Sequence, residues 1–293
     1  MNIERVTFDA GGATLVGSLH WPESEPRAAL VLTGPLTSVK EQAAGAYARA
    51  MAARGFVSLA FDHRTFGESG GEPRQFESPP LKMADIRAAT GFLGRHARTS
   101  QLPVGAIGVC AGGGYMAGAV ASEPGLRAFA AVAGVFPDAQ ATRNAMGARF
   151  DALVSAGRAA RERFESGQPP EHIPAVGEGD VAMPLAEAFE FYGTPRGAVP
   201  NYTNRFAVQS REVTLPFDAM VAADRIRVPT FMVHSERALL PALARAFYAR
   251  LAVPRQQLWL QSKGQIDFYD DPVLIGAAAD AIAAHFRFAL PKA

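Results

Sequence analysis

The sequence predicts an α/β protein: a mostly parallel eight-stranded sheet flanked by helices, with a helical cap inserted late in the chain. Three observations carry this. Short segments apolar on both faces alternate with helix-spaced segments, the pattern of parallel strands buried between helical layers. The first two strands instead read as a pair joined by a turn. The alternation then stops between about residues 137 and 222 and resumes afterwards, which marks an insertion.

In chain order, IERVTF (3–8) and ATLVGSLHW (13–21) form the pair, joined by Asp9-Ala10-Gly11-Gly12. AALVLTG (28–34) is a short apolar strand, and KEQAAGAYARAMAARG (40–55) has helical spacing and a closing glycine. FVSLAFD (56–62) is the next strand and MADIRAATGFLGRH (83–96) the next helix. VGAIGVC (104–110) runs into a glycine cluster, followed by the helix GYMAGAVASEP (114–124) and the strand LRAFAAVAGVF (126–136). Past the insertion come the strand PTFMVHSE (229–236), the helix LPALARAFYARLA (240–252), the strand QQLWLQ (256–261) and a last helix over 273–288. Residues 1–136 and 223–293 form the core and 137–222 the cap. Within the cap, 141–164 has helical spacing and a basic face whose Arg158, Arg161 and Arg163 read as solvated. The segment 188–207 is rich in aromatics, Tyr192 among them, that either pack the cap onto the core or border a pocket.

Bulk properties narrow the function classes. A chain of 293 residues buries a large core. A net charge of +1 carries no footprint for nucleic acid or an anionic membrane. No apolar run approaches the ~20 residues that span a bilayer, and MNIERVTFDAGG lacks a signal-peptide pattern. One cysteine excludes an internal disulfide, which suits a reducing, cytoplasmic setting. The partner expected is a small-molecule substrate, with no metal or cofactor and with a homodimer as an open oligomeric form.

That single cysteine sits in GVCAGGG (108–114), between a buried strand and a helix. The spacing G-x-C-x-G-G in that setting reads as a nucleophile elbow, a tight turn that lifts one side chain to the carboxyl edge of the sheet. Glycines two before and two after Cys110 let neighbouring backbone approach closely. The helix that follows places its first N–H groups near the sulfur, favouring a thiolate.

Beyond the elbow, TGPLTSVKEQ (33–42), FDHRTFGESGGEPR (61–74), FYGTPRGAVPNYTNRFAVQS (191–210) and GQIDFYDDP (264–272) occur in an order that resembles the α/β-hydrolase superfamily, over about residues 5–290. The resemblance is to its dienelactone-hydrolase-like and polyketide-transferase-like branches. It implies an α/β-hydrolase fold, Cys110 as nucleophile, and an oxyanion hole from the N–H of Leu36 (or Thr37) with that of Ala111. It also implies an acid just after the strand that ends at His234, where Glu236 is the one carboxylate that can serve. The histidine base would stand at the position occupied here by Gln265, and a glutamine cannot act as a general base.

Other bases are scarce. His20, His96, His172, His234 and His285 read as structural or lie outside the reacting region. His63, with Arg64, follows the fourth strand near the crevice of an open α/β sheet and can border the pocket. Pinning a loop is its simpler role. The sequence therefore leads to an enzyme acting on an activated carbonyl (ester, thioester or lactone) through Cys110, by acyl transfer or slow hydrolysis. The alternative is a hydrolase-fold protein, with a natural or engineered loss of its histidine, that binds a small apolar ligand without turnover.

Overall fold

A computed structural model describes residues 2–291. The strands are β1 (Asn2–Asp9), β2 (Thr14–Trp21), β3 (Ala29–Thr33), β4 (Val57–Phe61), β5 (Val104–Val109), β6 (Leu126–Val132), β7 (His172–Ile173), β8 (Phe206–Ala207), β9 (Thr230–His234) and β10 (Arg255–Trp259). Eight of them form one sheet in the order β1-β2-β4-β3-β5-β6-β9-β10. β1 runs antiparallel to β2, and β2 antiparallel to β4. All later neighbours are parallel. The expected α/β architecture with its helical insertion is therefore present.

Alternation along the strands sends side chains into two cores. Ala29 and Val31 of β3 join Leu59, Phe129 and Met232 on one face, while Leu30 and Leu32 join Ile107, Val132 and Phe231 on the other. The helices α1 (Ala43–Ala52), α2 (Pro79–Arg95) and α3 (Ala111–Val120) follow β3, β4 and β5. Between β6 and β9 lie α4 (Ala139–Met146), α5 (Ala148–Glu165), the β7-β8 ribbon, α6 (Ala186–Tyr192), α7 (Arg211–Thr214) and α8 (Met220–Ala223). The chain closes with α9 (Pro241–Arg250), α10 (Asp267–Asp270) and α11 (Pro272–Ala289). Tyr47 and Met51 of α1 and Ile282 and Phe286 of α11 share one core, and Ile86 of α2, Met116 of α3 and Phe247 of α9 the other. Each such fully buried side chain contributes roughly 1.5–3 kcal/mol.

Among the described residues one helix, α11, is long and apolar enough to cross a membrane by length and composition. Ala278, Ile282 and Phe286 instead pack it onto the core, and its Asp280 pairs with Arg54 at 2.8 Å.

Several boundaries differ from the sequence reading for local reasons. α2 starts at Pro79 rather than 83, because Ser78 is extended and proline suits the first helical turn. α3 starts directly after Cys110, so the three glycines are helix rather than loop. β6 stops at Val132 because Ala133 turns the chain at φ 42°. The segment read as one helix over 141–164 is two, broken at Gly147 with φ 56°.

Two buried histidines couple the fold to pH. Burial lowers His20 from 6.5 to about 4, helped by Arg49, and burial lowers His285 likewise to about 4. Unfolded histidines take up protons first, so the stability these groups hold above pH 6.5 is lost as pH falls towards 4. The urea midpoint is expected to fall across that window. The fall should be shallower in His285→Leu, and an unchanged slope in that variant would count against His285 as a contributor.

Candidate active site

Cys110 stands where β5 ends and α3 begins, with φ 56° and ψ −125°. A non-glycine residue tolerates such a conformation only when its surroundings enforce it. Here they do. The Cys110 carbonyl accepts from the N–H groups of Gly113 and Val135, both at 2.8 Å, and its own N–H donates to Val132 at 3.1 Å. A Cβ on Gly108 would lie 2.4 Å from the Gly112 carbonyl oxygen, and one on Gly112 would lie 2.6 Å from that of Gly34. The elbow is thus pressed against the loop that follows β3.

That loop is held from the other side. Thr37 has φ 59°, and its N–H donates to Glu77 Oε2 at 3.1 Å. Glu77 is completely buried, and its Oε1 accepts from Lys82 Nζ at 2.7 Å and from the Tyr115 hydroxyl at 2.8 Å. Two further buried acids brace neighbouring loops. Asp62 accepts from the Lys40 N–H and Nζ, both at 2.8 Å, and from the Glu68 N–H at 3.0 Å. Asp85 accepts from the Arg64 N–H at 2.9 Å and from Arg64 Nε at 2.7 Å.

Between elbow and cap lies a cavity of about 590 Å³. Leu36, Cys110, Ala111, Tyr115, Gln265 and Tyr269 line it on the sheet side, and Met183, Leu185, Tyr192, Leu215 and Phe217 lie across from them. Glu187 is the one charged residue in its lining. Four groups stand near the Cys110 sulfur and favour its charged form: the Tyr269 hydroxyl, the Ala111 N–H, the Gln265 side chain and the Leu36 N–H. No cluster of three or more His, Cys, Asp or Glu side chains suited to a metal occurs among the described residues.

Burial dominates the thiol. Cys110 is only 7% exposed. Desolvation pushes its thiol above the ordinary value, while the Tyr269 hydroxyl, the Ala111 N–H, Gln265 and the Leu36 N–H pull it back. The thiolate expected from the helix N-terminus is therefore corrected: burial favours the protonated thiol. Tyr269 is held in the neutral form chiefly by burial and also by Cys110.

The remaining sequence-derived candidates separate cleanly. Leu36 and Ala111 lie at the sulfur, and Tyr192 lines the cavity. Thr37 is buried beside the cavity, acting through its N–H on Glu77. His63 is buried away from the lining, with Nε2 2.7 Å from Thr33 Oγ1 and Nδ1 3.3 Å from Asp85, and burial lowers it below the ordinary histidine value. Arg64 pairs with Asp85 and donates to the Ala10 carbonyl at 2.7 Å, so both residues pin a loop. Glu236 is a correction: it is exposed and ion-paired with Arg245, because the chain after β9 turns it outward. His234 is bonded to the carbonyls of Ser235 and Gly134, outside the lining.

Gln265 does reach the sulfur, but its side chain is chiefly a backbone brace. Its Oε1 accepts from the Leu239 N–H at 2.9 Å and its Nε2 donates to the Ala133 carbonyl at 2.8 Å. The sequence reading assigned no role to Glu77, Lys82, Tyr115, Tyr269 or Glu187. Tyr269 lay inside the quoted block GQIDFYDDP. Glu77 meets Thr37 across 40 positions, a contact no spacing pattern signals.

Comparison with known proteins places this architecture. A profile of the serine aminopeptidase S33 family (Hydrolase_4) matches residues 24–264. The chain belongs to that family. It is 32% identical over 281 residues to uncharacterized protein PA2218 of Pseudomonas aeruginosa, covering 91% of this chain and 76% of that one. It is 31% identical over 275 residues to uncharacterized protein YcjY of Escherichia coli, covering 90% of each. The crystal structure of PA2218 aligns with a TM-score of 0.85 at 28% identity, over 99% of this chain and 94% of that one.

The match upholds the α/β-hydrolase superfamily and overturns the finer placement. The family carries a serine enzyme's name, and nothing in the match supports the dienelactone-hydrolase-like or polyketide-transferase-like branch, a family cysteine nucleophile, or a histidine exchanged for glutamine. The quoted blocks misled for a physical reason. Asp62, Arg64 and Gln265 within them brace loops, so they report the fold rather than a branch.

Two outcomes follow from this geometry. Gly108→Ala should cost about 3 kcal/mol or more, read as a lowered melting temperature, because its Cβ has nowhere to go. Alkylation of Cys110 by iodoacetamide should rise with pH through a midpoint above that of a free thiol, and Tyr269→Phe should move it higher still. A midpoint below neutrality would contradict the dominance of burial.

Proposed function

We propose that this protein is an enzyme acting on an ester or lactone, with Cys110 capturing the acyl group. The observation that carries the reading is the convergence of the Leu36 and Ala111 N–H groups on the Cys110 sulfur at the edge of an apolar cavity. Donors aimed there also reach an oxygen on a carbonyl carbon bonded to that sulfur. Removing one such donor typically costs ~2.7–4 kcal/mol of transition-state stabilisation.

In the proposed step the sulfur forms a bond to the carbonyl carbon and the carbon–oxygen bond to the leaving group breaks. One proton leaves the thiol and one reaches the departing oxygen, relayed through a third group. Tyr269, beside the sulfur, accepts the thiol proton on its hydroxyl oxygen while releasing its own to the leaving group. A neutral relay of this kind suits a thiol held protonated by burial, and no charge need be created on either group beforehand. With no histidine in the lining, water is poorly activated against the thioester. Release is therefore slow hydrolysis or transfer to a second acceptor. The raised thiol supports the other reading as well, in which the cavity binds an apolar ligand without turnover.

Intact-protein mass spectrometry with p-nitrophenyl esters of graded acyl length separates the two. Capture predicts an acyl adduct that is absent in Cys110→Ala and forms roughly a hundredfold more slowly in Tyr269→Phe. No adduct at any acyl length would leave the binding reading in its place.

A further inference from the structure

The cavity wall carries one hydroxyl for which the protein offers nothing. Tyr192, the last residue of α6, is 5% exposed and lines the cavity, and its hydroxyl has no hydrogen-bond partner in the protein. Its ring cannot swing away. Phe191 meets it edge-on with centroids 4.9 Å apart, and Tyr202 packs at 5.1 Å with an interplanar angle of 30°. The other phenols of the lining are satisfied: Tyr115 by Glu77, and Tyr269 by Cys110 and Gln265. A buried hydroxyl without a partner destabilises a fold, and a phenylalanine would fill the same space without that cost. The lining is mostly apolar, Met183, Leu185 and Phe217 among it, and the Oε2 of its one charged residue, Glu187, already accepts from the Ile266 N–H. A lone donor in such a wall is the arrangement of a ligand site, in which a few placed polar groups select among molecules of similar shape. Tyr192 also lies close enough to Cys110 for the two groups to interact electrostatically. Its hydroxyl has almost no accessible surface, so contact with it requires a small shift of the lining, and an acyl chain held at Cys110, which lines the same cavity, is the part of the substrate near enough to make it.

We propose that Tyr192 determines specificity by donating a hydrogen bond to a second oxygen on the acyl chain, so that the preferred substrates are hydroxy- or oxo-acyl esters and lactones. This rests on acyl capture by Cys110 and deepens it.

The experiment compares p-nitrophenyl octanoate with p-nitrophenyl 3-hydroxyoctanoate and 3-oxooctanoate on the full chain, reading kcat/KM for capture. The oxygenated esters are expected to react at least about tenfold faster, and Tyr192→Phe to reduce that ratio towards one while melting no lower than the wild type. A parallel thermal-shift measurement uses the unreactive octanamide and 3-hydroxyoctanamide. The wild type should be stabilised more by the hydroxy amide, and Tyr192→Phe by both alike. If no ester is captured but the amide difference holds and depends on Tyr192, the capture reading alone fails. A ratio unchanged in Tyr192→Phe, or no amide difference in the wild type, overturns the role of Tyr192.

Discussion

The close approach of two backbones organises this protein. At the end of β5 the chain turns through a positive φ at Cys110, and Gly108 and Gly112 leave no room for a side chain between elbow and neighbouring loop. Because Gly112 lies against the carbonyls of Thr33 and Gly34, the loop after β3 cannot drift. Its Leu36 N–H and the first N–H of α3 are thereby brought to one sulfur. Strain at a single residue, supported by parallel strand pairing on both sides, thus becomes a pair of aimed donors.

Around this centre, buried acids act as fasteners rather than reagents. Glu77, Asp62 and Asp85 each sit at zero exposure and each joins two segments distant in sequence. Burying a carboxylate is costly unless it is paired and hydrogen-bonded, and all three are. Of these, Glu77 also reaches the largely apolar cavity, through the hydroxyl of Tyr115 in its lining. Inside that cavity the same physics acts on Cys110: taking the sulfur out of water outweighs the four neighbouring groups that favour its charge. In the proposed capture step a proton moves together with bond formation, and Tyr269, kept neutral by burial, is the group proposed to relay it.

The amino-acid sequence alone determined the layered α/β fold, the strand pair at the start, the late insertion and the elbow, because each is written in local periodicity or in glycine spacing. That Leu36 and Ala111 follow strand ends was legible for the same reason, while their part as oxyanion donors came from the family resemblance and belongs to the proposed function. Tertiary structure alone decided which polar residues meet. Glu236 lay beside the right strand end yet points outward to Arg245, whereas Glu77, with no motif around it, reaches the loop of Thr37. It also decided the state of the sulfur, since a helix N-terminus is visible in sequence but the depth of burial that overrides it is not. Side-chain meetings across dozens of positions and exclusion of water are properties of packing, and no local pattern of residues encodes them.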